Sequence, residues 1–253
     1  MIGTFNFTKL NIIKNIFARV WALWGIISFM LTFLLIFIPA MVTYAIPQPK
    51  SQRIFIGIAK VWMNIWLRLI LCPVTVRGKE HFAAGETYII TCNHNTLMDV
   101  PVTCPYIPGG NKTIAKKSFT KVPLFGLFYR KGSVLVDRNS DASRRKSFEE
   151  MKQTLALHLH MCIYPEGTRN RTVEPLKSFH DGAFKLATDT GTSIIPCVLF
   201  NTNKAMPINR IFYLLPHRLE IHFLLPVSSQ NIASKELKEK VFRIMWDYYS
   251  SHQ

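Results

Sequence analysis

Acidic residues are scarce in this 253-residue chain: 15 Asp and Glu stand against 31 Lys and Arg, a formal net charge of +16. Charge of either sign is also thin, at 18% of residues, below what an ordinary soluble domain carries. The five cysteines, Cys72, Cys92, Cys104, Cys162 and Cys197, follow no paired spacing. That argues against a disulfide framework and fits a reducing compartment. No Gly-x-Ser-x-Gly elbow occurs, which argues against a serine hydrolase. Internal repeats and low-complexity linkers are absent too. What remains is a chain that is greasy (49% hydrophobic) and basic at once. A cationic excess draws a protein toward phosphate-rich partners, and with this much apolar surface the membrane is favoured over nucleic acid. No nucleic-acid reading motif is present.

Charge is missing altogether from Val20 to Pro49. Residues 21–46 are long enough to cross a bilayer, at roughly 20 residues per helical span. A cleaved signal peptide would have a shorter apolar core, although Thr43-Tyr44-Ala45 could mimic a cleavage site. Basic residues flank the run on both sides (Lys9, Lys14 and Arg19 before it, Lys50, Arg53, Lys60 and Arg68 after it), so both ends prefer the cytoplasm. The expectation is a helical anchor that spans or dips into one leaflet. Residues 52–71 follow as an amphipathic helix, with Arg53, Lys60, Asn64 and Arg68 on one face and apolar residues, including Trp62 and Trp66, over the rest. The expectation is a helix lying along the membrane surface with its tryptophans at the lipid interface, although periodicity alone would suit a helix packed into the core of the following domain nearly as well.

From about Val74 short β-rich runs alternate with helical ones, the pattern of an α/β domain. Strands are expected at 88–91, 113–115, 133–136, 161–164, 193–199 and 219–225. Helices are expected at 141–158, at 179–189 ended by Gly191, and after a capping Ser234.

Chemistry gathers where these strands end. His94 follows the first strand and Asp99 comes five residues later. An imidazole is a competent base near neutral pH, and a carboxylate on its other nitrogen would fix the tautomer. Five residues is not a face-sharing helical spacing, so the pair needs an irregular turn to meet. After another strand comes Tyr164-Pro165-Glu166-Gly167-Thr168-Arg169-Asn170-Arg171. There Gly167 permits close backbone approach, Thr168 offers a hydroxyl, and Arg169 can fork onto phosphate oxygens. Taken alone, that stretch also reads as a strand-ending turn with solvated charges. Lys131 to Arg138 gives a turn, a strand and an acidic-basic pair; Ile194-Ile195-Pro196-Cys197 reads as a buried strand. Cys92, two residues before His94, is a candidate nucleophile, but its apolar neighbours favour a buried inert thiol. His158, His160 and Cys162 alternate but lack a fourth ligand at a familiar metal spacing.

Taken in order, His94-x-x-x-x-Asp99, Gly132 to Arg138, Pro165-Glu166-Gly167-Thr168-Arg169 and Ile195-Pro196 resemble the four-block signature of the glycerolipid acyltransferase family, above all its bacterial 1-acyl-glycerol-3-phosphate acyltransferase branch. Lys116 and Lys117, followed by Val122-Pro123-Leu124-Phe125-Gly126, look like its lysine-containing segment. Thr96, Tyr164 and Asn170 depart from the commoner residues while keeping polarity or bulk.

The resemblance implies a mixed α/β sheet flanked by helices over residues 74–253, after membrane-anchoring helices in 1–73. It implies His94 as general base and Asp99 as its orienter. The phosphate of a lysophospholipid would be bound by Glu166, Gly167, Thr168 and Arg169, with Arg138 and Lys116 or Lys117 beside them. Acyl-CoA or acyl-carrier protein would serve as acyl donor with no cofactor and no metal, on the cytoplasmic face of the inner membrane.

Overall fold

A computed structural model describes residues 2–137 and 139–252, with side chains from residue 11 onward. The chain opens with two antiparallel helices, α1 (Ile2–Val42) and α2 (Lys50–Leu69). They are riveted by tryptophans. Indole N–H groups of Trp21 and Trp24 donate to the carbonyls of Ile70 and Leu69, Trp66 donates to the Gly25 carbonyl, and Trp62 donates to Thr32 Oγ1. Gly25 is where the helices and the later chain approach closely, since a Cβ there would lie 2.7 Å from Leu214.

The expectation that α2 lies along the membrane surface with its tryptophans in lipid is corrected: both pack into the protein core. Trp62 and Trp66 are buried beside Met63 and Leu67, while Arg53, Lys60 and Arg68 stay exposed among Ile54, Val61, Ile65 and Leu69. The hydrophobic face was legible; its partner is the sheet and α1, because a sheet face needs a covering layer as much as a membrane needs an anchor. The segment Asn11–Ala45, with mean hydropathy 2.5, is long and apolar enough to cross a membrane. Only 28% of its most apolar stretch is buried, and Ile16, Val20, Leu31, Leu35 and Ile38 are among the side chains it leaves exposed.

The remaining elements alternate: β1 (Val74–Arg77), β2 (Ile89–Cys92), α3 (Asp99–Thr103), β3 (Asn111–Lys116), α4 (Phe125–Lys131), β4 (Ser133–Val136), α5 (Asp141–Ala156), β5 (His160–Ile163), α6 (Gly182–Thr190), β6 (Ile194–Phe200), α7 (Thr202–Ala205), β7 (Leu219–Phe223) and α8 (Ser234–Ser251). The seven strands form one sheet in the order β1-β7-β6-β2-β5-β3-β4. β6, β2, β5, β3 and β4 run parallel; β7 is antiparallel to β6 and parallel to β1. Strands β2, β5 and β6 are buried along their whole length, as expected of strands covered on both faces.

Strand alternation sorts two cores. Ile90, Cys92, Cys162 and Ile195 face α1 and α2, whereas Ile89, Met161, Ile163 and Ile194 face α5, α6 and α8. Every expected strand is present within a residue or two, and β1 joins them at the sheet edge. Gly191 closes α6 in the left-handed conformation at φ +65°. Ser234 differs from expectation: it is the first residue of α8, after Ala233, and its hydroxyl makes no capping bond. At α5 the capping is real, with Ser140 Oγ accepting from the Ser143 amide at 3.2 Å.

Candidate active site

The five parallel strands deliver their carboxyl ends to one edge of the sheet, the usual place for ligands in such folds. As β2 ends, Asn93 turns its side chain onto β6. Its Nδ2 donates to the Leu199 carbonyl at 3.0 Å, and its Oδ1 accepts from the Leu199 amide at 2.7 Å. The side chain thus supplies one more rung of ladder while the backbone leaves the sheet.

His94 follows, and its Nδ1 lies 2.8 Å from Asp99 Oδ2. The awkward five-residue spacing is solved by a tight turn ahead of α3. Backbone N–H groups of Asn95 and Thr96 also converge on Asp99 Oδ2, at 2.5 and 2.7 Å, and Thr96 Oγ1 reaches Oδ1 at 3.4 Å. The carboxylate is fully buried, while the imidazole keeps 20% of its surface exposed. A carboxylate can only accept, so Nδ1 carries the hydrogen and Nε2 is left as the basic nitrogen. Tyr164 packs against the ring, with centroids 4.6 Å apart.

Glu166 is placed differently from a substrate ligand. Its carboxylate is buried to 1% exposure, and it accepts from the backbone amides of His94 (2.7 Å) and Lys177 (3.1 Å). Burial pushes its carboxyl up to about 7, against the pull of those two amides. Glu166 therefore ties the turn at His94 to the loop after β5, with both carboxylate oxygens already accepting from backbone amides. Asn170 adds a second pin, its amide donating to the His94 carbonyl at 2.6 Å.

Gly167 sits at φ +70°, and a Cβ there would lie 2.5 Å from His180. Thr168 Oγ1 accepts from Lys177 Nζ at 2.7 Å, and Arg169 is partly exposed beside it. Lys116 and Lys117 are exposed at the end of β3, which is two strands from β2 and so about 10 Å along the edge. Arg138 lies outside the described residues. The fold thus gathers His94, Asp99 and the loop from Glu166 to Arg169, and sets the two lysines to one side.

Sequence reasoning missed Lys177 as part of the site, and it placed Asn93, Tyr164 and Asn170 within the two segments without assigning them these contacts. Tyr164 alone had a signal, since it alternates with Cys162 along β5 toward the core that Cys92 faces. Cys92 is fully buried 3.8 Å from Cys162 Sγ, and burial pushes its thiol well up, which removes it as a nucleophile. His160 Nδ1 accepts from the Tyr88 amide at 3.0 Å, and burial lowers its pKa to about 4, as for a core histidine.

A buried carboxylate holds an imidazole at the carboxyl edge of a parallel sheet, an arrangement chemically able to take up a proton at Nε2. Residues 73–200, half of the chain, match the acyltransferase family, and the chain belongs to that family. It is similar to the 1-acyl-sn-glycerol-3-phosphate acyltransferase of Cocos nucifera, at 30% identity over 171 residues that cover 67% of this chain and 54% of that protein. It is similar also to the protein of that name from Borreliella burgdorferi, at 29% over 192 residues covering 73% and 74%. The chain therefore spans little more than half the length of the coconut relative. Among solved structures, that of the 1-acyl-sn-glycerophosphate acyltransferase PlsC from Thermotoga maritima matches with a TM-score of 0.76 at 20% identity, covering 94% of this chain and 96% of that one. That likeness concerns the fold.

Proposed function

We propose that this protein transfers a fatty acyl group from an acyl thioester to the free hydroxyl of 1-acyl-glycerol-3-phosphate, giving phosphatidic acid for phospholipid synthesis. The observation that carries the reading is the His94–Asp99 pair, held at 2.8 Å with Nε2 left open. His94 Nε2 takes the hydroxyl proton as the lipid oxygen attacks the thioester carbonyl. Asp99 stabilises the imidazolium so formed. Collapse of the tetrahedral intermediate breaks the C–S bond, and the departing thiolate takes the proton back from the imidazolium. No acyl-enzyme is needed, which fits the burial of Cys92.

The backbone at Gly167, the Thr168 hydroxyl and the Arg169 guanidinium offer the acceptor's phosphate its ligands, with Lys116 and Lys117 as further cations on the same edge. Residues 1–73 serve as the membrane-seated part and 74–253 as the catalytic part. The exposed apolar face of α1 supports a lipid-bound enzyme whose acceptor keeps its chain in the bilayer, with the site on the cytoplasmic face, where acyl thioesters are made. Both acyl-CoA and acyl-carrier protein fit this chemistry as donors.

The test is an acyl-transfer assay on purified protein, crossing several lysolipid acceptors with both donor types. Phosphatidic acid from 1-acyl-glycerol-3-phosphate is the expected product, and a preference for another lysolipid overturns the acceptor. His94→Ala should abolish transfer while leaving membrane association intact. Transfer at the wild-type rate removes His94 from the mechanism.

A further inference from the structure

The segment after β5 holds His94 in three ways. The Glu166 carboxylate accepts from its amide at 2.7 Å, and the Asn170 amide donates to its carbonyl at 2.6 Å. The ring of Tyr164 packs on its imidazole, with centroids 4.6 Å apart and planes tilted by 41°. The first two contacts fix the backbone. Of the three, only Tyr164 touches the ring that gains charge.

Tyr164 continues the alternation of β5 from Cys162, so its ring packs against the core that faces α1 and α2. Its hydroxyl oxygen is enclosed and makes no hydrogen bond among the described residues. Burial pushes the phenol well up, and the thiols of Cys162, Cys92 and Cys104 nearby push it the same way. A neutral, enclosed phenol neither takes nor gives a proton at neutral pH, and a buried hydroxyl with no partner costs stability. What Tyr164 offers the site is therefore its ring.

An aromatic ring carries negative charge over its faces and attracts a cation within ~6 Å of its centroid. As a base, His94 starts neutral and becomes cationic when it takes the acceptor's proton. An attraction that grows as the proton moves is stronger in the transition state than in the ground state, which is the condition for raising kcat. Asp99 meets the imidazole at Nδ1, whereas Tyr164 meets it ring against ring. The two contacts occupy different parts of the imidazole and can act together.

We infer that Tyr164 is a positioning residue of the transfer reaction, whose aromatic ring steadies His94 and stabilises its protonated form. The inference rests on the reading of His94 as the base. It adds to Asp99 a second stabilising group, one that acts through its π-cloud.

Variants of the full-length protein separate the ring from its hydroxyl and from its bulk. Tyr164→Phe keeps the ring and should transfer at the wild-type rate. Tyr164→Leu keeps apolar bulk and should lower kcat about 3- to 30-fold, with the KM for lysolipid and for donor unchanged. Phenylalanines carrying one, two or three fluorines, placed at position 164 by nonsense suppression, keep the ring's shape while drawing charge from its face. Across that series log kcat should fall stepwise. A role in packing alone predicts one rate for the whole series, and that result overturns the inference. So does a Tyr164→Leu variant with the wild-type kcat, or a Tyr164→Phe variant as slow as Tyr164→Leu. His94→Ala keeps the two readings apart. Transfer by that variant removes the base itself, whereas a flat fluorine series in an enzyme that still needs His94 removes only the role of Tyr164.

Discussion

Replacing Asp99 by asparagine isolates the charge of the dyad from its geometry. Oδ2 accepts three bonds, from His94 Nδ1 and the amides of Asn95 and Thr96. An asparagine oxygen in that place can accept all three, and its NH2 then faces Thr96 Oγ1, which can accept. The tautomer and the turn survive, and only the negative charge is lost. In the wild type, that charge faces an imidazolium as soon as His94 takes its proton. Two unit charges about 4 Å apart at an effective dielectric of about 20 attract by about 4 kcal/mol. The amide dipole recovers part of this, leaving a loss of about 3 kcal/mol in the transition state. At 1.36 kcal/mol per decade, Asp99→Asn should lower kcat by roughly 10²- to 10³-fold, with KM for both substrates little changed. Steady-state kinetics on the purified variant measures this, with a thermal unfolding curve as the control for folding. A folded variant whose kcat stays within about fivefold of wild type would refute the charge argument.

Other perturbations separate the remaining parts. Arg169→Ala removes a charge-assisted contact worth about 1.5–3 kcal/mol, so the KM for the lysolipid should rise about 10- to 100-fold with kcat nearly unchanged; a pure kcat loss would move Arg169 into transition-state stabilisation. Glu166 titrates near 7 when folded against 4.5 in its ordinary state, so the folded protein holds a proton that the unfolded chain has released in between. Its contribution is full below about pH 4.5 and is lost as pH rises through 7, a difference of about 3 kcal/mol in unfolding free energy between pH 4 and 8. Denaturant titrations at several pH values should show that slope, and Glu166→Gln should flatten it; an unchanged slope rejects the assignment. Thr32→Val strands the buried indole N–H of Trp62 and should destabilise the protein by about 1–3 kcal/mol in detergent, whereas Thr32→Ser should be near neutral. Equal effects of the two would show that the hydroxyl does not matter.

The legible parts of this chain were those written in local pattern. Strands β2, β5 and β6 are apolar runs bounded by polar turns, and Gly191 ends α6 because the left-handed position suits glycine. His94 and Asp99 could be named as a pair, but not their meeting, which depends on two amides in an irregular turn that no residue periodicity encodes. Glu166 was visible as a charge and illegible as a pin, because its partners are backbone groups at His94 and Lys177, 72 and 11 residues away. The tryptophans of α2 show the same limit. Amphipathicity says that a face will be covered, and only the tertiary arrangement decides between lipid and protein.

All five cysteines lie in the single core that faces α1 and α2, with no disulfide among them. Burial pushes the thiols of Cys92 and Cys197 up and that of Cys72 to about 11, so in the closed protein they are neither ionised at neutral pH nor within reach of reagents. The protein thereby carries its own opening clock. An alkylating reagent can modify these positions only while the sheet floor beneath His94 parts from the helical hairpin, so the labelling rate follows the population of that opened form. Membrane-bound proteins often aggregate on heating before any equilibrium can be read. Here the native thiols permit the integrity of the catalytic floor to be timed in intact membranes, with no introduced probe.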